Sequence, residues 1–154
     1  MRYAHTNLIA KDWRSLSNFY QNVFGCKPIG PRRDLSGEWI EELTNIKNAR
    51  IVGEHLAFPG CGEKAPTLEI FSYEHSIEQN IDHSVDAIRQ INSHGFSHIA
   101  FEVQNVKEIV DIITREGGSL LGKIVTKDYG KMGVGTFAYA KDIEGNIIEL
   151  QSWN

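Results

Sequence analysis

The 154-residue chain is 41% hydrophobic and 23% charged, with a formal charge of −4; it is long enough to bury a sizeable core and ordinary for a soluble globular protein. Its mild charge gives no electrostatic reason to expect nucleic acid, and no basic run suggests a membrane surface. Cys26 and Cys61 are too few for a disulfide framework, no apolar run approaches the ~20 residues of a membrane span, and the N-terminus lacks a signal-peptide layout, so a cytoplasmic protein is expected.

Tyr3 to Ala10 reads as a strand with Thr6, Leu8 and Ala10 on one face and His5, Asn7 and Ile9 on the other. Asp12 is a good N-cap for a helix whose apolar face is Leu16, Phe19, Tyr20 and Val23, and Gly25 ends it. Pro28, Gly30 and Pro31 require any strand between Cys26 and Leu35 to be broken or to lie at an edge. Gly37 to Asn45 predicts a short helix or a lid-like connection. Ala49 to Phe58 predicts a strand closed by Pro59 and Gly60. Thr67 to Tyr73 predicts another, with Thr67, Glu69, Phe71 and Tyr73 on one face. The stretch 75–95 is polar, lacks sustained periodicity and reads as a linker.

At Gly95 to Val103 the opening segment begins a second time. With His98 set over His5, Asn105 falls on Asp12, Lys107 on Arg14, Ile109 on Leu16, Ile112 and Ile113 on Phe19 and Tyr20, and Gly118 on Gly25. An internal repeat of this kind means one structural unit built twice. The second copy continues with a helix from about Val106 to Glu116, where Asn105 and Glu108 have the spacing of a capping arrangement. Strands are expected at Ser119 to Thr126 and Gly133 to Lys141, around the loop Lys127 to Met132. Turn chemistry at Asp142 to Asn146 delivers a last strand, with Ile147, Glu149, Gln151 and Trp153 on one face. Strand, helix and several strands, repeated once, make an α+β arrangement of antiparallel-rich sheets with outer helices. The expected organisation is one domain, with module one at 1–74, a linker at 75–95 and module two at 96–154.

Four of these strands each carry one ionisable residue among apolar neighbours: His5, Glu69, His98 and Glu149. Both glutamates sit inside an apolar-Glu-apolar core, Leu68-Glu69-Ile70 and Ile148-Glu149-Leu150, so the repeat extends to them. A buried carboxylate without a partner costs several kcal/mol. A divalent cation between two neutral imidazoles and two carboxylates removes that cost, and mixed nitrogen and oxygen ligands suit Zn, Ni, Co, Mn or Fe(II) alike. His55, which follows Glu54 on a strand, is the one rival ligand. Tyr73, Phe71, Trp153, Tyr129 and Met132 are candidates to line a pocket, and core packing accounts equally well for the strand aromatics.

Three motifs together resemble the vicinal oxygen chelate superfamily, which includes glyoxalase I, methylmalonyl-CoA epimerase, extradiol dioxygenases and the fosfomycin and bleomycin resistance proteins. They are the His5 strand followed by Asp12-x-x-Ser15-Leu16-x-x-Phe19-Tyr20-x-x-x-Phe24-Gly25, the segment His98 to Val103, and the ending Asp142-x-Glu144-Gly145-Asn146-x-Ile148-Glu149-Leu150. The resemblance implies paired βαβββ modules forming a cupped mixed sheet, with a divalent metal held by His5, Glu69, His98 and Glu149. It implies proton transfer next to a carbonyl through a metal-stabilised enolate, lactoylglutathione lyase-like or epimerase-like, with Glu149 as base and Glu69 as the alternative. Where glyoxalase I holds glutathione with an arginine and an asparagine, this chain has Ile9 and Tyr73. The stretch from Trp39 to Arg50 is similar to that of the epimerases. A small-molecule substrate and a homodimer are the implied partners. An Fe(II) dioxygenase and a metal-free binding protein remain open as other classes.

Overall fold

The computed structural model describes residues 1–62, 64–74, 91–92 and 94–154. The chain forms two compact units, Met1–His83 and Ser84–Asn154. Of the stretch read as a linker, 75–90 and 93 lie outside the described residues.

The first unit runs β1 (His5–Ile9), α1 (Trp13–Phe24), β2 (Lys27–Ser36), α2 (Glu38–Thr44), β3 (Arg50–Ala57) and β4 (Thr67–Glu74). Its sheet has the order β1-β4-β3-β2, with β1 parallel to β4 and the other pairs antiparallel. α1 begins where the Asp12 carboxylate accepts hydrogen bonds from the Arg14 and Ser15 amides, and it stops at Gly25 in the left-handed region. Its buried side chains Leu16, Phe19 and Tyr20 belong to the core with Leu56, Leu68 and Ile70, and the helix lies against β3 and β4. Because strand side chains alternate, burying Leu68 and Ile70 beneath the helix turns Glu69 and Phe71 to the other face. Glu54 points to the helix side and is buried, with the Ser17 hydroxyl donating to Oε1 and the Arg32 guanidinium 3.6 Å from Oε2.

The proline-bearing β2 is an edge strand with a bulge between Ile29 and Arg33. Beyond the bulge Arg33 pairs with Gly53. A Cβ at Gly53 would meet the Ile70 carbonyl oxygen at 2.1 Å and Phe71 Cδ1 at 2.5 Å, so only glycine lets these strands approach. The segment read as a helix or a connection is the helix α2.

The second unit runs β5 (His98–Glu102), α3 (Val106–Arg115), β6 (Ser119–Leu120), β7 (Val125–Asp128), a 3-10 turn (Gly130–Met132), β8 (Val134–Lys141) and β9 (Ile147–Trp153). β5 is parallel to β9, β9 pairs with β8, and both β6 and β7 pair with β8. β1, α1, β3 and β4 thus return as β5, α3, β8 and β9, and the α+β class with mixed sheets holds.

Two details differ from the sequence reading. The strand expected over Ser119 to Thr126 is two short strands, interrupted where Gly122 takes a φ of 101°. The glycine that leaves the second helix with positive φ is Gly117, at 95°, one residue before the one aligned with Gly25. Gly118 instead allows a close approach, because a Cβ there would meet the Lys141 carbonyl oxygen at 2.4 Å and Ile113 at 2.7 Å. Among the described residues no helix is long and apolar enough to cross a membrane.

Candidate active site

Strand register builds the same pair twice. On β1 and β4 His5 stands opposite Thr67, so Glu69 lies two positions further along; on β5 and β9 His98 stands opposite Ile147, with Glu149 two positions further along. In the first unit His5 Nε2 is 3.3 Å from Glu69 Oε2, and in the second His98 Nε2 is 2.9 Å from Glu149 Oε2. Each sequence-predicted pair is therefore in contact within its own unit.

Glu69 has two more partners. His55, opposite it on β3, brings Nε2 to 3.1 Å from Oε1, and Asn7, opposite it on β1, donates to Oε2 at 3.1 Å. The other His55 ring nitrogen, Nδ1, is 3.4 Å from the Thr67 hydroxyl, and the Phe71 ring packs edge-on at 5.6 Å. Burial pushes the His55 pKa down, outweighing the opposing pull of Glu69, while Arg33 and His5 push it further down. His55, the rival ligand of the sequence reading, thus engages the same carboxylate as His5.

In the second unit Tyr139 occupies the position opposite Glu149, and its ring meets the His98 ring edge-on at 5.3 Å. Burial, then the charge of Glu149, raise the Tyr139 pKa, so the phenol stays protonated at neutral pH. Ser97 donates its hydroxyl proton to the Ile91 carbonyl at 3.2 Å, and its oxygen lies 3.2 Å from His98 Nδ1. The His98 ring thus meets a hydroxyl with one nitrogen and a carboxylate with the other.

The donors fit a divalent cation by chemistry: imidazole nitrogens and carboxylates, with the second nitrogen of His98 held by a neighbour. Within either unit the described residues contain no group of three His, Cys, Asp or Glu side chains already spaced to hold a metal ion. Beyond the pairs, Tyr129, Phe137 and Trp153 form a ring cluster, with centroids 5.3 to 6.0 Å apart. Phe137 and Trp153 lie on the strand faces that carry Tyr139 and Glu149. Of the predicted pocket residues, Tyr129 and Trp153 join this cluster, Phe71 packs on His55, and Tyr73 and Met132 are exposed. A cavity of about 500 Å³ opens instead at the start of β3, lined by Arg50, Glu74 and Glu41 among others, and holds none of the four predicted ligands.

Sequence reasoning did not find the roles of Asn7, Thr67, Ser97 and Tyr139. Asn7 and Thr67 carried a signal, since alternation puts them on the faces of His5 and Glu69.

The lactoylglutathione lyases of Neisseria meningitidis serogroups A and B are each 26% identical to the chain over 152 residues, which is 97% of it and 89% of each relative. A glyoxalase family protein from Bacillus cereus shares the fold, with a TM-score of 0.81, 17% identity, and 99% of this chain and 94% of that one covered. The fosfomycin resistance protein FosX from Listeria monocytogenes, solved with Mn(II) and sulfate, aligns with a TM-score of 0.52 at 18% identity, covering 98% and 91%. Residues 2–150 match the family described as the Glyoxalase/Bleomycin resistance protein/Dioxygenase superfamily, and the chain belongs to it.

Proposed function

We propose that the protein is a divalent-metal-dependent lyase or isomerase that moves a proton on the carbon next to a carbonyl, with His5, Glu69, His98 and Glu149 as metal ligands. The observation that carries this reading is the repeated His–Glu pair, in contact in both units and set in the same strand register. Membership of the superfamily and the likeness to lactoylglutathione lyases support it.

A divalent cation held there supplies Lewis acidity at a carbonyl oxygen and lowers the cost of ionising the neighbouring C–H. Glu149 accepts the proton and returns it to the neighbouring atom or to the opposite face of the same carbon. Its carboxylate is partly exposed and has one histidine partner, which suits a group that must swing toward a substrate carbon. Ser97 orients His98, and the protonated Tyr139 packs its ring edge-on against the His98 ring. Ile9 and Tyr73 stand where a glutathione-holding arginine and asparagine would be, so the substrate we propose is a different carbonyl compound, a non-glutathione thiol adduct or an acyl thioester.

Elemental analysis of protein purified without chelators or a histidine tag tests the reading. About one ion per set of four ligands is expected in the wild type, with none in His98→Ala. No ion in either, even after incubation with Ni, Co, Zn, Mn and Fe(II), would turn the reading to a binding protein whose ligand stacks on Tyr129, Phe137 and Trp153. If the active form is a homodimer that completes each ligand set across two copies, mixing dissociated His5→Ala and His98→Ala chains will restore part of the activity.

A further inference from the structure

The proposed metal set treats Glu69 and Glu149 as equals, but their surroundings differ. Glu69 has a third group in place, His55, whose ring is itself held. Phe71 packs against that ring, and Gly53, which carries no side chain, leaves the Phe71 ring room to lie across the strand. A carboxylate only accepts hydrogen bonds, so the proton of a neutral His55 ring sits on Nε2, 3.1 Å from Glu69 Oε1. Nδ1 then accepts from the Thr67 hydroxyl. Asn7 holds the other carboxylate oxygen.

Resting on the metal reading above, we propose that His55 is a positioning residue: its Nε2–H fixes Oε1 of Glu69, so that Oε2 is aimed at His5 and Glu69 serves as a static ligand rather than as the base. His55 ligates nothing itself. Its contribution is to remove the carboxylate's rotational freedom before a cation binds, the effect outer partners have on ligands in general.

The test uses the full chain and Co(II) as probe, with affinity read by competition against a chromogenic chelator and coordination read from the visible absorption bands. His55→Leu and His55→Asn remove or shorten the donor and are expected to weaken Co(II) binding about 10–100-fold, with unchanged stoichiometry and an unchanged spectrum at saturation. His55→Gln, whose amide reaches about as far as Nε2, is expected to bind close to wild type, which keeps the test decisive if the leucine variant does not fold. His5→Ala is the reference for a lost ligand, with an altered spectrum. Equal affinity in wild type, His55→Asn and His55→Gln would overturn the proposal, as would a His55→Asn spectrum changed like that of His5→Ala. Wild-type protein that takes up no Co(II) would remove the metal reading itself and this proposal with it.

Discussion

The two units place a histidine and a glutamate in one register, yet treat the carboxylate differently. In the first, the side chain of Glu69 is 11% exposed and engaged on both oxygens by His5, His55 and Asn7. In the second, the side chain of Glu149 is 21% exposed and engaged by His98 on one oxygen, because Ala100 replaces Asn7 and Tyr139 replaces His55 at the matching positions. Duplication of the strand-helix-strand unit fixes where the carboxylates stand. Cross-strand neighbours decide how many groups hold each of them, and the proposed division between a static ligand and a base rests on that difference.

The largest expected effect separates the two glutamates. Glu149→Gln is expected to lower turnover at saturating metal by about 10²–10⁴-fold, the range for losing a positioned base, while retaining metal. Glu69→Gln is expected to act first on metal affinity and to recover much of its turnover when metal is raised. Initial rates on acyl thioesters and α-oxo thiol adducts, taken across a metal titration, measure both. Equal loss of turnover in the two variants at saturating metal would break the division of roles.

Next comes the backbone under each pair. Gly53 and Phe137 occupy matching register positions, opposite Phe71 and Gln151. Gly53→Ala puts a methyl group on the Ile70 carbonyl and on Phe71 at a φ of 156°, and is expected to cost about 3 kcal/mol. Phe137→Ala removes a half-buried ring that meets Tyr129 and Trp153, and is expected to cost about 1–2 kcal/mol. Urea denaturation midpoints rank the two. A reversed ranking would mean that the β3–β4 pairing relaxes around a side chain at 53.

Much of this was legible in the sequence. The offset that sets His98 on His5 also sets Asn105 on Asp12, and both cap their helices. Alternation along Thr67 to Tyr73 put Glu69 and Phe71 on one face, and Pro28, Gly30 and Pro31 required any strand there to be broken or to lie at an edge; β2 is an edge strand with a bulge. What stayed hidden depends on pairing across strands. Alternation puts Gly53, His55 and Ala57 on one face of β3, but the loop 58–66 does not say which of them stands opposite Glu69. Likewise nothing between Ser119 and Thr126 but Gly122 marks the break that splits the edge strand of the second unit.

A smaller effect distinguishes the starts of the two edge strands. Cys26 is buried before β2, whereas Ser119, at the matching position in the second copy, is exposed. Burial pushes the Cys26 thiol from 9.0 to about 11. The unfolded chain therefore loses this proton first as pH rises: the thiol's contribution to stability is intact below pH 9.0 and is lost as the pH approaches 11. Denaturation midpoints are expected to fall over that range in wild type and to fall less in Cys26→Ala. In the native protein at pH 8 a thiol reagent should modify the exposed Cys61 and leave Cys26 until the chain unfolds.

The smallest difference lies in the two helix caps. Asp12 accepts from two amides and from the Ser15 hydroxyl, while Asn105 accepts from the Glu108 amide. Asp12→Ala is expected to cost about 1–1.5 kcal/mol and Asn105→Ala about 0.5–1 kcal/mol. Acid separates them further. The Ser15 hydroxyl leads the interactions that hold the Asp12 carboxyl below its ordinary 3.8, so the contribution of its charge is present above that value and lost as the pH falls below it. Asn105 carries no such charge. Repeating both substitutions at pH 7 and pH 3 should therefore shrink the cost of Asp12→Ala and leave that of Asn105→Ala unchanged; equal shrinkage would mean that acid loosens both helix starts through some other group.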